Sequence, residues 1–147
     1  MKDVGTKEAR SAARNSSGSR PRPKRIILVD ESPLYAEAWR ALLEARYEGR
    51  VVFEAYRDPL EALPRLDPDV ALLMVDLEIP LFGGRKVFEL AKDRGVPLRR
   101  IVILSERPAD ELHELFPSDC CLAVINKIEP QQQSAFLMIL DSIITRH

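Results

Sequence analysis

Asp30-Glu31, Asp76, Ser105 and Lys127 are the residues of this sequence whose types and placement could carry out phosphoryl chemistry. Each closes an apolar run. Ile26 to Val29 ends on Asp30-Glu31, Val70 to Val75 on Asp76, Ile101 to Leu104 on Ser105, and Cys120 to Ile125 stops just short of Lys127. Runs this short read as strands covered on both faces. If helices join them into a parallel sheet, all these ends lie on one edge, where residues distant in sequence converge. Converging carboxylates repel and raise one another's pKa values. A hard divalent ion relieves that, and Mg²⁺ suits because it accepts one or two carboxylates, keeps waters and bridges to phosphate oxygens. An ammonium and a hydroxyl opposite would take the remaining oxygens of a phosphoryl group. Asp76 would then be the nucleophile and carry an aspartyl phosphate.

The elements needed to position these residues are legible in order. Ser32 and Pro33 read as N-cap and first residue of a helix whose apolar stripe is Tyr35, Trp39 and Leu42. Val51 to Tyr56 reads as a second strand. Asp58-Pro59-Leu60-Glu61 resembles a capping box opening a short helix that Pro64 cuts or kinks. After Asp76, Pro80 and Gly83-Gly84 predict a turn-rich loop, and Arg85 to Arg94 a helix ended by Gly95. Pro108 to Phe116 reads as a helix with Ala109, Leu112 and Phe116 apolar. Pro130 opens a last helix with Phe136, Ile139 or Leu140, and Ile143 on its stripe. Five βα units imply one α/β domain with helices on both faces of a five-stranded, doubly wound parallel sheet.

Length and composition allow a single domain with a proper core. The net charge of −1 conceals an uneven distribution. Residues 1–25 carry eight Lys/Arg against two Asp/Glu, and the remainder 14 against 21. Residues 1–24 have few large apolar side chains and are expected to be a disordered basic tail ahead of a domain over 25–147. With no aromatic residue to stack and no folded scaffold, that tail reads as a solvated leader, and nucleic acid is not an expected partner. No run is long enough to span a bilayer and none forms the apolar core of a secretory signal. Cys120 and Cys121 lack ligand spacing and read as small buried thiols, in keeping with a cytoplasmic protein. His113 reads as a surface residue, His147 is terminal, and neither has partners at triad or metal spacing. Trp39 reads as core, and Gly83-Gly84 lacks the context of a phosphate loop.

Taken together and in order, the acidic pair Asp30-Glu31, Asp76 with Pro80 and Gly84 at four and eight residues on, Ser105, and Lys127 resemble the receiver domain of two-component response regulators. The resemblance covers residues 25 to 146. Glu31-Ser32-Pro33-Leu34 and Glu129-Pro130 look most like receivers usually fused to a helix-turn-helix DNA-binding domain. It implies a flavodoxin-like fold of strand order 2-1-3-4-5. It also implies phosphoryl transfer from a histidine kinase or phosphotransfer protein to Asp76. Mg²⁺ would be held by Glu31, Asp76 and the backbone carbonyl of Glu78, with Asp30 acting through water. Signalling would run through a downstream protein, or a homodimer, at the surface of the fourth helix, fifth strand and fifth helix. With no output domain after Ile144, the effect is expected to pass through another protein. No enzyme activity beyond self-phosphorylation and slow self-dephosphorylation is implied.

Three positions depart from the family pattern. Val124 stands where an aromatic switch residue is frequent, Ile128 where Pro is frequent, and Glu106 where a small residue is frequent. Glu78 and Arg107 flank the mouth of the expected site and are poised to pair. Two alternatives follow: a docking module with little phosphorylation, and an aspartate-nucleophile phosphatase with Glu78 as its general acid. The second would need a cap or pocket-forming insertion that the sequence lacks.

Overall fold

Alternation along the strands divides the core in two. The computed structural model describes residues 22–80, 82–117 and 120–145. Its elements are β1 (Lys24–Val29), α1 (Pro33–Arg46), β2 (Val51–Tyr56), α2 (Pro59–Ala62), β3 (Val70–Asp76), α3 (Gly84–Asp93), β4 (Ile101–Ser105), α4 (Ala109–Leu115), β5 (Ala123–Asn126) and α5 (Pro130–Thr145). The strands form one parallel sheet in the order β2-β1-β3-β4-β5, the doubly wound arrangement expected. Successive strand side chains face opposite sides. Ile26, Leu28, Leu72, Met74, Val102 and Leu104 meet α1 and α5 through Trp39, Leu43, Phe136 and Leu140. Ile27, Val29, Leu73, Val75, Ile101 and Ile103 meet Ala62 of α2, Val87, Phe88 and Ala91 of α3, and Phe116 after α4. Trp39 packs edge-on against Phe136 at 5.4 Å between ring centres, which ties α1 to α5.

Local signals explain most boundaries. The Ser32 hydroxyl accepts from the Tyr35 N–H at 3.1 Å and caps α1. Asp58 caps α2, and Pro64 falls in a 3₁₀ turn that replaces its continuation. Gly95, at φ +90°, follows α3 in a conformation that only glycine adopts without strain.

Five expectations are corrected. The buried stripe of α1 is Ala36, Trp39 and Leu43, whereas Tyr35 and Leu42 are only partly buried at the margin of the core, Tyr35 with its ring over Lys127. The stripe of α5 is Phe136, Leu140 and Ile144, with Ile143 only partly buried. β5 begins at Ala123, not Cys120. The Cys120 N–H donates to the Pro117 carbonyl and closes a turn, so the ladder with β4 starts only at Val102 opposite Ala123. Both thiols are therefore half-buried, with their sulfurs 3.4 Å apart, and burial followed by Cys120 pushes the Cys121 thiol up to about 12. Lys24 already belongs to β1; the rest of the expected disordered tail, up to residue 21, lies outside the described residues, as does His147.

A buried-edge ion cluster anchors β2. Glu54 accepts from Arg65 at 2.9 and 3.1 Å, from Tyr56 Oη at 2.8 Å and from Arg25 at 3.4 Å. The Arg65 hydrogen bonds, acting against burial, hold the Glu54 carboxyl at about 2 instead of 4.5. A depressed carboxyl contributes stability above its unfolded pKa and loses it as pH falls through the folded one. Glu54→Gln is accordingly expected to cost about 1–2 kcal/mol at neutral pH, since Arg65 is half in water. Urea unfolding should show that gap closing as pH falls from 4.5 towards 2.

Candidate functional site

The sheet register builds the site. Val29 pairs with Val75, so Asp30 and Asp76 leave neighbouring strands side by side. Asp76 pairs with Leu104, and Ser105 with Asn126, so the Ser105 hydroxyl and the following Lys127 arrive on the same edge. Among the described residues the buried polar or charged side chains are Asp30, Asp76, Ser105 and Asn126, and all four lie here. Apolar strands that carry polar groups only at one common edge have concentrated the cost of burying them in one place.

Lys127 is the hub. Its ammonium donates to Asp30 Oδ2 at 2.6 Å and lies 3.7 Å from Asp76 Oδ1. The Tyr35 ring covers it at 4.4 Å and touches Trp39 edge-on. Burial works against the ammonium charge, but the hydrogen bond and charge of Asp30, then Asp76, outweigh it and hold its pKa above the usual lysine range. Asp76 shows the opposite balance. Burial raises its carboxyl above the ordinary range, Lys127 pulls it down, and Asp30 pushes it up again. The backbone N–H of Glu78 donates to Asp76 Oδ1 at 3.2 Å, and that of Ser32 to Asp30 Oδ1 at 2.8 Å. A buried carboxylate with one oxygen near a cation and raised basicity is equipped as a nucleophile.

Opposite Asp76 the Ser105 hydroxyl donates to the Glu78 carboxylate, 3.0 Å from each oxygen. Arg107 closes this contact: its Nε lies 3.1 Å from Glu78 Oε2 and its backbone N–H donates to Ser105 Oγ at 3.0 Å. The expected Glu78–Arg107 pair is thus present. It seats a carboxylate on the hydroxyl that a phosphoryl oxygen would need. Gly84 lies tight against the site's backbone, where a Cβ would run into the Asp76 carbonyl oxygen and come within 2.6 Å of the Leu77 Cα. The Gly83 ahead of it turns the chain at φ +81°.

Asp30, Asp76, Glu78, Arg107 and Lys127 line a cleft that also includes Glu31, Ser32 and Glu106. Glu31 and Glu106 are exposed on its rim. Among the described residues no three acidic, His or Cys side chains close on a common point that could hold an ion by themselves. Asp76, Glu31 and Glu78 are all among the residues lining that cleft. Val124 is partly buried behind the site, and the peptide bond preceding Ile128 is trans.

Asn126 is a site residue that sequence reading missed. Its Nδ2 donates to the Arg107 carbonyl at 2.6 Å, and its Oδ1 accepts from the N–H groups of Ile128 and Glu129 at 2.7 and 2.9 Å. It therefore joins the loop after β4 to the loop after β5. The signal was a lone amide ending the apolar Val124-Ile125 pair directly before Lys127.

Comparison with known proteins agrees with the fold. No family model matches the sequence. A curated relative from Haloferax volcanii, described as "Putative transcriptional regulator", is 25% identical over 135 residues, 92% of this chain. The chain spans only 22% of that protein's length. Among solved structures, a response regulator receiver protein from Burkholderia phymatum superposes with a TM-score of 0.66 at 16% identity, over 84% of this chain and 97% of the other. The response regulator domain of Thermotoga maritima CheB gives 0.60 at 20% identity, over 83% and 94%. A response regulator from Colwellia psychrerythraea gives 0.64 at 19%, over 84% and 98%.

Proposed function

On the receiver-domain fold that this chain shares with those structures, we propose that it accepts a phosphoryl group on Asp76 and signals by binding a protein partner. One observation carries this reading: an ammonium lodged between two buried carboxylates, Asp30 and Asp76, at the sheet edge where Ser105 also points. The donor is a phosphohistidine on a sensor kinase or phosphotransfer protein. An Asp76 carboxylate oxygen attacks phosphorus, and the P–N bond breaks with its electron pair left on the imidazole nitrogen. Lys127 pairs with one phosphoryl oxygen and Ser105 donates to another. Mg²⁺, which Asp76, Glu31 and the Glu78 carbonyl would hold with Asp30 acting through water, would supply charge neutralisation on the phosphoryl oxygens. Loss of the Ser105–Glu78 contact on phosphorylation frees Arg107, and Asn126 passes the shift to β5 and α5. The partner face is therefore α4, β5 and α5, open to an effector or a second copy. No helix among the described residues is long and apolar enough to cross a membrane.

The test is incubation with acetyl phosphate and Mg²⁺ followed by intact mass measurement. The receiver reading expects a base-labile phosphoryl adduct on Asp76. Rapid turnover of small phosphoesters without adduct would instead make the chain a phosphatase.

A second reading, a docking module with little phosphorylation, is favoured by the Glu78 carboxylate already seated on Ser105. Glu78→Ala separates the two. A charged hydrogen bond contributes about 1.5 kcal/mol, so its removal should speed labelling about tenfold in a receiver. A docking module would stay unlabelled with either residue.

A further inference from the structure

We propose that the opposite edge of the sheet, where the strands begin, docks the phosphate backbone of duplex nucleic acid. Arg22, Lys24, Arg99 and Arg100 line one cleft there, beside a lone carboxylate, Asp69. None of the four cations is in an ion pair among the described residues, whereas the neighbouring Arg25 is bound to Glu54 and Asp67. Arg100 is held in place: its Nη1 donates to the Pro68 carbonyl at 2.8 Å and the Val70 carbonyl at 3.3 Å. Its Nε and Nη2 remain available, a planar fork already oriented for phosphate oxygens. Three exposed arginines and the partly buried Lys24, gathered in a concavity with their carboxylate counterparts elsewhere on an acidic domain, make a positive focus that attracts polyanions.

The chemistry of the cleft selects among polyanions. It has no aromatic side chain on which unpaired bases could stack, so it contacts phosphates of a duplex rather than a single strand. Membrane docking would need large apolar side chains to insert, and the one that lines this cleft, Ile143, is partly buried. The sequence ahead of Arg22 carries a further five Lys/Arg against two Asp/Glu over residues 1–21. The folded scaffold that a basic leader alone would lack is supplied by the starts of β1, β3 and β4. The seven residues of β3 separate this cleft from Asp76 by roughly 20 Å, so the proposal stands independently of phosphorylation.

Fluorescence anisotropy of a labelled random-sequence duplex, titrated with the full chain at several salt concentrations, tests this. Four phosphate contacts predict a slope of about −3.6 in log affinity against log salt. The Lys24→Glu/Arg99→Glu double variant should bind at least tenfold more weakly and flatten that slope by about two. Circular dichroism melting checks the fold, and Lys24→Gln/Arg99→Gln serves if the reversal does not fold. Unchanged binding by a folded variant overturns the proposal. So does binding to phosphatidylserine vesicles or polyglutamate as tight as binding to duplex.

Discussion

Lys127→Ala is expected to slow phosphate uptake on Asp76 by about 10²- to 10³-fold, the loss typical of removing one charge-stabilising donor from a dry site. The same substitution should destabilise the fold by about 3–5 kcal/mol, because it strands two buried carboxylates. The Asp30 side chain is 1% exposed and that of Asp76 11%, so water cannot replace the lost ammonium. The pH dependence follows from the raised lysine pKa. Its contribution is complete below the unfolded value of 10.5 and is lost as pH rises through the folded value, so the gap to the variant closes only in alkali. Adding Asp30→Asn to Lys127→Ala should recover much of the stability and none of the labelling. Labelling of Lys127→Ala at the unmodified rate would sink the assignment of Lys127 to the phosphoryl group.

Asp76→Asn is expected to abolish the adduct and, in the opposite sense to Lys127→Ala, to raise the melting temperature. The fold lifts the Asp76 pKa through burial, so its ionisation opposes folding at neutral pH. A neutral amide of the same shape removes that opposition while Lys127 keeps its shorter bond to Asp30. The sign is checkable: a raised carboxyl favours the folded state only while protonated. The advantage of Asn should therefore shrink as pH falls through the Asp76 titration. Activity and stability trade against each other at this residue, as they do where a charged nucleophile is held out of water. Thermal scans across pH, paired with mass spectrometry, read both effects. A variant that melts below the parent at neutral pH would contradict the burial argument.

Asp76, Ser105 and Lys127 were legible from sequence because a parallel sheet has one productive edge and apolar runs mark where each strand reaches it. The identity of each terminal residue then needs no long-range information. Pairing strengths were not legible. Nothing in the spacing says that Lys127, 97 positions from Asp30, sits closer to it than to Asp76. Nor does position reveal that Glu78 turns inward onto Ser105, which depends on Arg107 reaching over from the next loop. The start of β5 was misplaced because Cys120-Cys121-Leu122 is as apolar as a strand, while the Pro117 carbonyl bends the backbone there. The α1 stripe slipped at its margin, where Tyr35 is only partly buried with its ring over an ammonium, a contact that hydropathy does not register.

Trp39 is the sole indole in the chain, 5% exposed, and it touches the ring that lies over Lys127. The molecule thus carries its own optical reporter a single aromatic contact from its reactive edge. Any chemistry that draws the ammonium off Tyr35 alters the surroundings of that fluorophore, so occupancy of the cleft can be followed by native emission, without a dye.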